Sequence, residues 1–170
     1  MSLRNKFLAI LTITTCILLP YSSCSRPAPK QKNSTVNSIV SLKPNITEIL
    51  FQLGLGDKIV GVTSYCQHPP EAQKITKVAN YVQINLEKII ALKPDLAITS
   101  HENSTKKEIT NLEKLGIQVL TLPFYDLESI NKSIMVIGQA THTEKKANEL
   151  VQTIKNTFQD IQKRRYSIKN

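Results

Sequence analysis

The chain has 170 residues, a formal net charge of +9, 41% hydrophobic residues, three Cys and no Trp. That length suits one domain, or one domain with a small appendage, and the composition excludes a collagen, a disulfide scaffold and a wholly disordered chain. A multi-span membrane protein is excluded as well, because a single long apolar run is present.

That run comes first. Arg4 and Lys6 precede an uncharged apolar stretch, Phe7 to Leu19, which Pro20 ends. It is shorter than the roughly 20 residues a spanning helix needs and has the length of a signal-peptide core. Ser22-Ser23-Cys24 follows directly, and small residues before a Cys in that place resemble a bacterial lipobox. The expected organisation is a signal peptide over 1–23 and an acylated Cys24, with a polar tether over 24–37 that includes Pro27 and Pro29. Tyr21 stands where a lipobox usually has an aliphatic residue, which leaves ordinary signal cleavage nearby as the alternative. Either way the protein is expected to be exported, to the periplasm or the outer face of the cytoplasmic membrane. With Cys16 removed and Cys24 lipidated, Cys66 stands alone, so the domain must be held by its core.

From Ser38 the pattern becomes strand–helix alternation. Ile39-Val40-Ser41-Leu42 reads as a short buried strand stopped by Pro44, and Asn45-Ile46-Thr47-Glu48 as a helix start of capping-box type. Ile46, Ile49, Leu50 and Leu53 share one helical face, and Gly54 ends it. Lys58 to Thr63 is β-branched and extended. Asn85 caps a helix expected to bury Leu86, Ile89 and Ile90, and Lys93-Pro94-Asp95 turns it into the strand Leu96 to Thr99. Ser104 starts a helix with Ile109, Leu112 and Leu115 inward, closed by Gly116, and Ile117 to Leu122 is the next strand. The alternation predicts an α/β lobe over 38–126 with a largely parallel sheet flanked by helices.

The segment 127–170 differs in kind. A shorter helix from Leu127 to Ala140 precedes a long one over 143–163, capped by Thr143. Ala147, Leu150, Val151, Ile154, Phe158 and Ile161 form a single stripe along it, part of which has no partner within one lobe. Residues 142–170 also carry much of the basic excess. No nucleic-acid signature accompanies it, so a solvated helix face accounts for the charge and no nucleic-acid partner is expected.

In a parallel sheet, ligands bind in the crevice outside the carboxyl ends of the strands. The loops there carry Lys43-Pro44-Asn45, Ser64-Tyr65-Cys66-Gln67-His68, Ser100-His101-Glu102 and Pro123-Phe124-Tyr125. Tyr65, with Tyr81 from a neighbouring loop, suits a large, flat, partly apolar ligand, whereas Phe124 and Tyr125 are expected to cover the sheet edge.

The stretch Ile39 to Leu50, with the run Gly54 to Cys66 continuing into Pro69-Pro70-Glu71-Ala72, and Asn85 to Leu96, resembles helical-backbone (class III) substrate-binding proteins of ABC importers, the cobalamin and iron-siderophore receptor group. The resemblance runs in order from Ser38 to the end. It implies two lobes joined by a long rigid helix, a corrinoid or iron chelate (haem or siderophore) held between them, and delivery to an ABC permease. This chain would be the N-terminal lobe and connecting helix, the second lobe being absent. Carried over by position, Pro44 and Asn45 line the cleft floor, Tyr65 meets the ligand's face and Tyr81 stacks from the side. Ser100 stands where cobalamin receptors can carry a large aromatic ring, which implies a wider or more polar pocket. Glu87 corresponds to the glutamate that pairs with permease arginines, although in the first turn after Asn85 a carboxylate is also favoured by the helix dipole. No cofactor is implied.

Three alternatives accompany this reading. Cys66, His68 and His101 are residue types that could ligate zinc or another metal ion. An enzyme would need Cys66 as nucleophile with His68 or His101 as base, yet no oxyanion or acid–base motif accompanies them, so the chain is not read as an enzyme. A one-lobe envelope lipoprotein acting as an interaction module is the third.

Overall fold

The computed structural model describes residues 35–80, 83–101 and 106–169. The signal segment, Cys24, Tyr81, Glu102 and Ser104 lie outside the described residues.

The sheet begins with β1, Ile39–Ser41. Helix α1, Pro44–Gln52, follows after a two-residue turn. A short 3-10 turn, Gly56–Lys58, leads into β2, Ile59–Thr63. A second 3-10 turn, Pro70–Lys74, leads into β3, Lys77–Ala79. Helix α2 is Leu86–Leu92, β4 is Leu96–Ser100, α3 is Lys106–Lys114 and β5 is Gln118–Leu122. Helix α4, Leu127–Thr141, and helix α5, Glu144–Lys169, complete the chain. All four strand pairings are parallel, in the order β3-β2-β1-β4-β5.

Strands of a covered parallel sheet are buried on both faces and read as continuous apolar runs. Ile39, Val62, Leu96, Ile98 and Leu122 face one cluster with α1, α4 and α5, which supply Ile46, Leu50, Ile134, Ile137, Ala147 and Val151, and with Leu53 at the end of α1. Val40, Val78 and Ala97 face the other, against Ile89 of α2 and Leu112 of α3. Each fully buried Leu or Ile stabilises the fold by about 1.5–3 kcal/mol. Val36 is already part of the first cluster, so packing starts ahead of Ser38. Asp95 Oδ2 fastens this entry by accepting from the Asn37 and Ser38 amides at 2.9 and 3.0 Å.

Two glycines end elements in the left-handed region, Gly54 at φ +75° and Gly116 at +78°. Gly138 serves another purpose, because a Cβ there would lie 2.6 Å from Ala147 Cβ. Its absence lets α4 and α5 cross closely, and α5 packs its first turns, Ala147 and Val151, into the core. Farther along the stripe Phe158 is 44% and Ile161 58% exposed. Among the described residues no helix is long and apolar enough to cross a membrane.

Several local expectations need correction. Lys43, not Asn45, is the N-cap of α1, with Pro44 in the first turn and no side-chain cap. Proline's fixed φ and missing N–H suit that first turn, which draws the helix start forward and leaves Asn45 inside the helix. Ile90 and Leu115 are exposed, not inward. A seven-residue helix shows one narrow face, which Ile89 takes, while Leu115 falls beyond the end of α3. The long helix runs on to Lys169, past the expected Lys163. The edge strand β3 forms where the sequence shows no strand signal.

Candidate functional site

The strand order creates a reversal. From β1 the chain winds outward through β2 to β3, then returns to the other side of β1 for β4 and β5. At such a switch point the connections leave in opposite directions and open a crevice above the carboxyl ends. Here the switch point falls between β1 and β4, whose carboxyl ends lead into residues 42–43 with the start of α1 and into Ser100-His101.

Pro44 is half-buried and Asn45 exposed, both in the first turn of α1. Tyr65, in the turn after β2, is 53% exposed. Tyr125 is exposed after β5, whereas Phe124 is half-buried and packs on the core, as a sheet-edge cover does. These residues share the carboxyl edge of the sheet. Ser100 differs from them: it is buried, and among the described residues its Oγ has no hydrogen-bond partner. A buried hydroxyl left unpaired costs about 1–3 kcal/mol.

Glu87 is exposed in the first turn of α2, two residues past Asn85, whose Oδ1 accepts from the Lys88 amide at 2.9 Å. It sits on the rim of an open cavity of about 560 Å³, lined also by Ser64, Ala79, Asn80 and Asn85. A smaller polar recess, about 370 Å³, continues past Ser64 to Gln67, Gln73 and Lys77.

The Cys66–His68–His101 alternative is not assembled. Cys66 is 1% exposed, and its Sγ lies 3.1 Å from Thr47 Oγ1 and 3.2 Å from Thr63 Oγ1. His68 and His101 are both exposed. Among the described residues no three His, Cys, Asp or Glu side chains converge in a way that could hold a metal ion. The same burial takes the thiol out of reach as a nucleophile.

Sequence reasoning missed the polar side chains beneath this edge. Ser41 and Thr47 are fully buried, with Thr47 Oγ1 2.7 Å from Ser41 Oγ and Ser41 Oγ donating to the Lys43 carbonyl at 3.1 Å. A hydroxyl on an otherwise apolar helix face was the available signal.

A parallel sheet whose strand order reverses at β1, covered by helices on both faces and continued by a long terminal helix, defines one lobe of a helical-backbone binding protein. The periplasmic binding protein family model matches residues 39–170, and the chain belongs to that family. A Bacillus subtilis protein described as an uncharacterized ABC transporter substrate-binding lipoprotein, YvrC, is 44% identical over 134 residues, which cover 76% of this chain and 42% of that protein. The vitamin B12-binding protein of Vibrio cholerae is 30% identical over 151 residues, covering 89% of this chain and 52% of its own length. Among solved structures, the Vibrio cholerae periplasmic vitamin B12 binding protein BtuF superimposes with a TM-score of 0.70 at 32% identity, covering 76% of this chain and 51% of that one. A periplasmic heme binding protein from Pseudomonas aeruginosa gives 0.68 at 26% identity, covering 71% and 44%. The chain thus spans about half the length of the relatives it matches.

Proposed function

We propose that this chain is the ligand-capturing N-terminal lobe of an ABC-importer substrate-binding protein, taking a corrinoid or an iron chelate such as haem or a ferric siderophore. The observation that carries the reading is the switch point of the strand order, where Pro44 and Asn45 follow β1, Ser100 ends the neighbouring β4 and Tyr65 is exposed in the turn after β2. A flat macrocycle needs an aromatic or apolar face and a few polar anchors, which this edge offers. Tyr81 is assigned to the side of the same ligand by family position. Vitamin B12 and heme in the names of the relatives support both ligand classes. The chain acts by binding and release, with no catalytic step and no resident cofactor.

Glu87 is assigned to permease docking. It is exposed at the start of α2, and a charge at a rim supplies orientation and association rate more than affinity. The leader and Cys24 are assigned to export and lipid anchoring, supported by the lipoprotein description of the Bacillus subtilis relative. The chain is further read as part of a two-lobed receptor, supported by its half-length coverage of the relatives.

Absorbance titration of the purified chain with hemin, cyanocobalamin and a ferric siderophore tests the ligand class. Saturable change with one of them is expected, and no change with any would overturn the reading. In an uptake assay with the cognate permease, Glu87→Arg should abolish transport and leave the titration unchanged. A loss of ligand affinity in that variant would refute the docking role.

A further inference from the structure

Thr47 lies on the buried face of α1, and its hydroxyl joins the start of that helix to Cys66, 19 residues farther along the chain. Its Oγ1 is 2.7 Å from Ser41 Oγ, 3.1 Å from the Lys43 carbonyl oxygen and 3.1 Å from Cys66 Sγ. Its amide also donates to the Lys43 carbonyl, at 3.0 Å. All three side chains are essentially inaccessible: Ser41 and Thr47 are 0% and Cys66 1% exposed.

Each hydroxyl and the thiol has a single proton, and one assignment uses every proton once. Cys66 donates to Thr47, Thr47 donates to Ser41, and Ser41 donates to the Lys43 carbonyl. That carbonyl then accepts twice, from Ser41 Oγ and from the Thr47 amide. Thr63 completes the set, its hydroxyl 3.2 Å from Cys66 Sγ.

The ends of this relay matter. Lys43 is joined to Pro44, which has no amide proton, so the turn can be fastened through the Lys43 carbonyl but not through the following nitrogen. The thiol end belongs to the turn holding Tyr65, where the Cys66 amide donates to the Thr63 carbonyl at 3.2 Å. We infer that Thr47 is a positioning residue: through Ser41 and Cys66 it locks the Lys43-Pro44-Asn45 start of α1 to the Ser64-Tyr65-Cys66 turn and so fixes the spacing of the two segments that hold the ligand. A ligand-contacting group is held in place by buried partners behind it, and a satisfied buried network is stiffer than separate contacts. That the two segments are locked follows from the geometry alone, while the consequence for ligand rests on the function proposed above.

The test uses the full chain with Thr47→Val, which keeps the volume and removes the hydroxyl, and Thr47→Ser, which restores it. Hydrogen exchange and thiol labelling are read by peptide mass spectrometry, which isolates Cys66 from the other cysteines. Thr47→Val should speed labelling of Cys66 and exchange in both turns by roughly tenfold, the loss of about one hydrogen bond, with α4 unchanged. Thr47→Ser should behave as wild type. Equal rates in Thr47→Val and wild type, exchange raised in one turn only, or a uniform rise that includes α4 would each overturn the inference. Titration with cyanocobalamin and hemin separates the two claims. Coupled loosening of both turns in a chain that binds neither probe upholds the lock and removes the proposed function. Binding that weakens in Thr47→Val and recovers in Thr47→Ser upholds both.

Discussion

Replacing Ser100 by alanine should stabilise the free protein, the opposite of what most buried substitutions do. Ser100 is 3% exposed at the end of β4, paired in register with Leu122, and among the described residues its Oγ has no partner. Among these residues nothing replaces the water that folding strips from the hydroxyl, a cost of about 1–3 kcal/mol. Ser100→Ala removes the oxygen, keeps the Cβ and leaves a gap smaller than a methyl group, whose lost contacts offset only part of the gain. The net expectation is about 1 kcal/mol of added stability, or a rise of roughly 2–6 °C in Tm for a chain of this size. Urea unfolding followed by circular dichroism, with a calorimetric scan on the same samples, measures it. If the hydroxyl is kept unpaired for a ligand, the same variant should lose affinity for the probe that binds while gaining Tm. A drop in stability of 1 kcal/mol or more would mean that the hydroxyl has a partner in the folded protein, and the reasoning would fail.

Gly138→Ala places a Cβ 2.6 Å from Ala147 Cβ where α4 and α5 cross, so it should destabilise by about 1–3 kcal/mol, read as a lower urea midpoint. Pairing it with Ala147→Gly should recover much of that loss. Asp126 caps α4 by accepting from the Ser129 amide at 2.7 Å, and this backbone bond, with the Ser129 hydroxyl, holds its carboxyl below the ordinary 3.8. A depressed folded-state pKa contributes stability above the unfolded value that is lost as pH falls through the folded one. Asp126→Ala should accordingly lower Tm at neutral pH and converge with wild type well below pH 4, the sign a melting series across pH would check.

How much of this was legible in the sequence depends on range. β1 and β4 could be read because both faces of a central parallel strand are buried, which leaves Ile39-Val40 and Leu96-Ala97-Ile98 as unbroken apolar runs. β3 escaped because a three-residue edge strand opening with Lys77 has neither a run nor an alternation to detect. Asn85 and the stripe of α5 followed local rules, and so did the exposure of the stripe's far half, since nothing within one lobe could reach it. The loops of the site were placed by the same alternation. What their side chains touch was not, because Thr47 meets Cys66 across 19 residues and Ser41 across six. In sequence Cys66 is a lone thiol two residues from His68, open with His101 of a later loop to a metal or catalytic reading. Only packing turns it inward, to two threonine hydroxyls.

Docking of a corrinoid or iron chelate on the carboxyl edge of this sheet, as proposed above, is read residue by residue through amide chemical-shift mapping of the labelled chain during titration with cyanocobalamin or hemin. Perturbations should gather at Lys43 to Thr47, Ser64 to Gln67, Asn80, Ser100-His101 and Phe124-Tyr125, and leave the amino ends of the strands, near Asn37, Lys58 and Asp95, unmoved. Shifts confined to the groove that Met135, Val136, Val151 and Lys155 line between α4 and α5, or none at saturating probe, would contradict it.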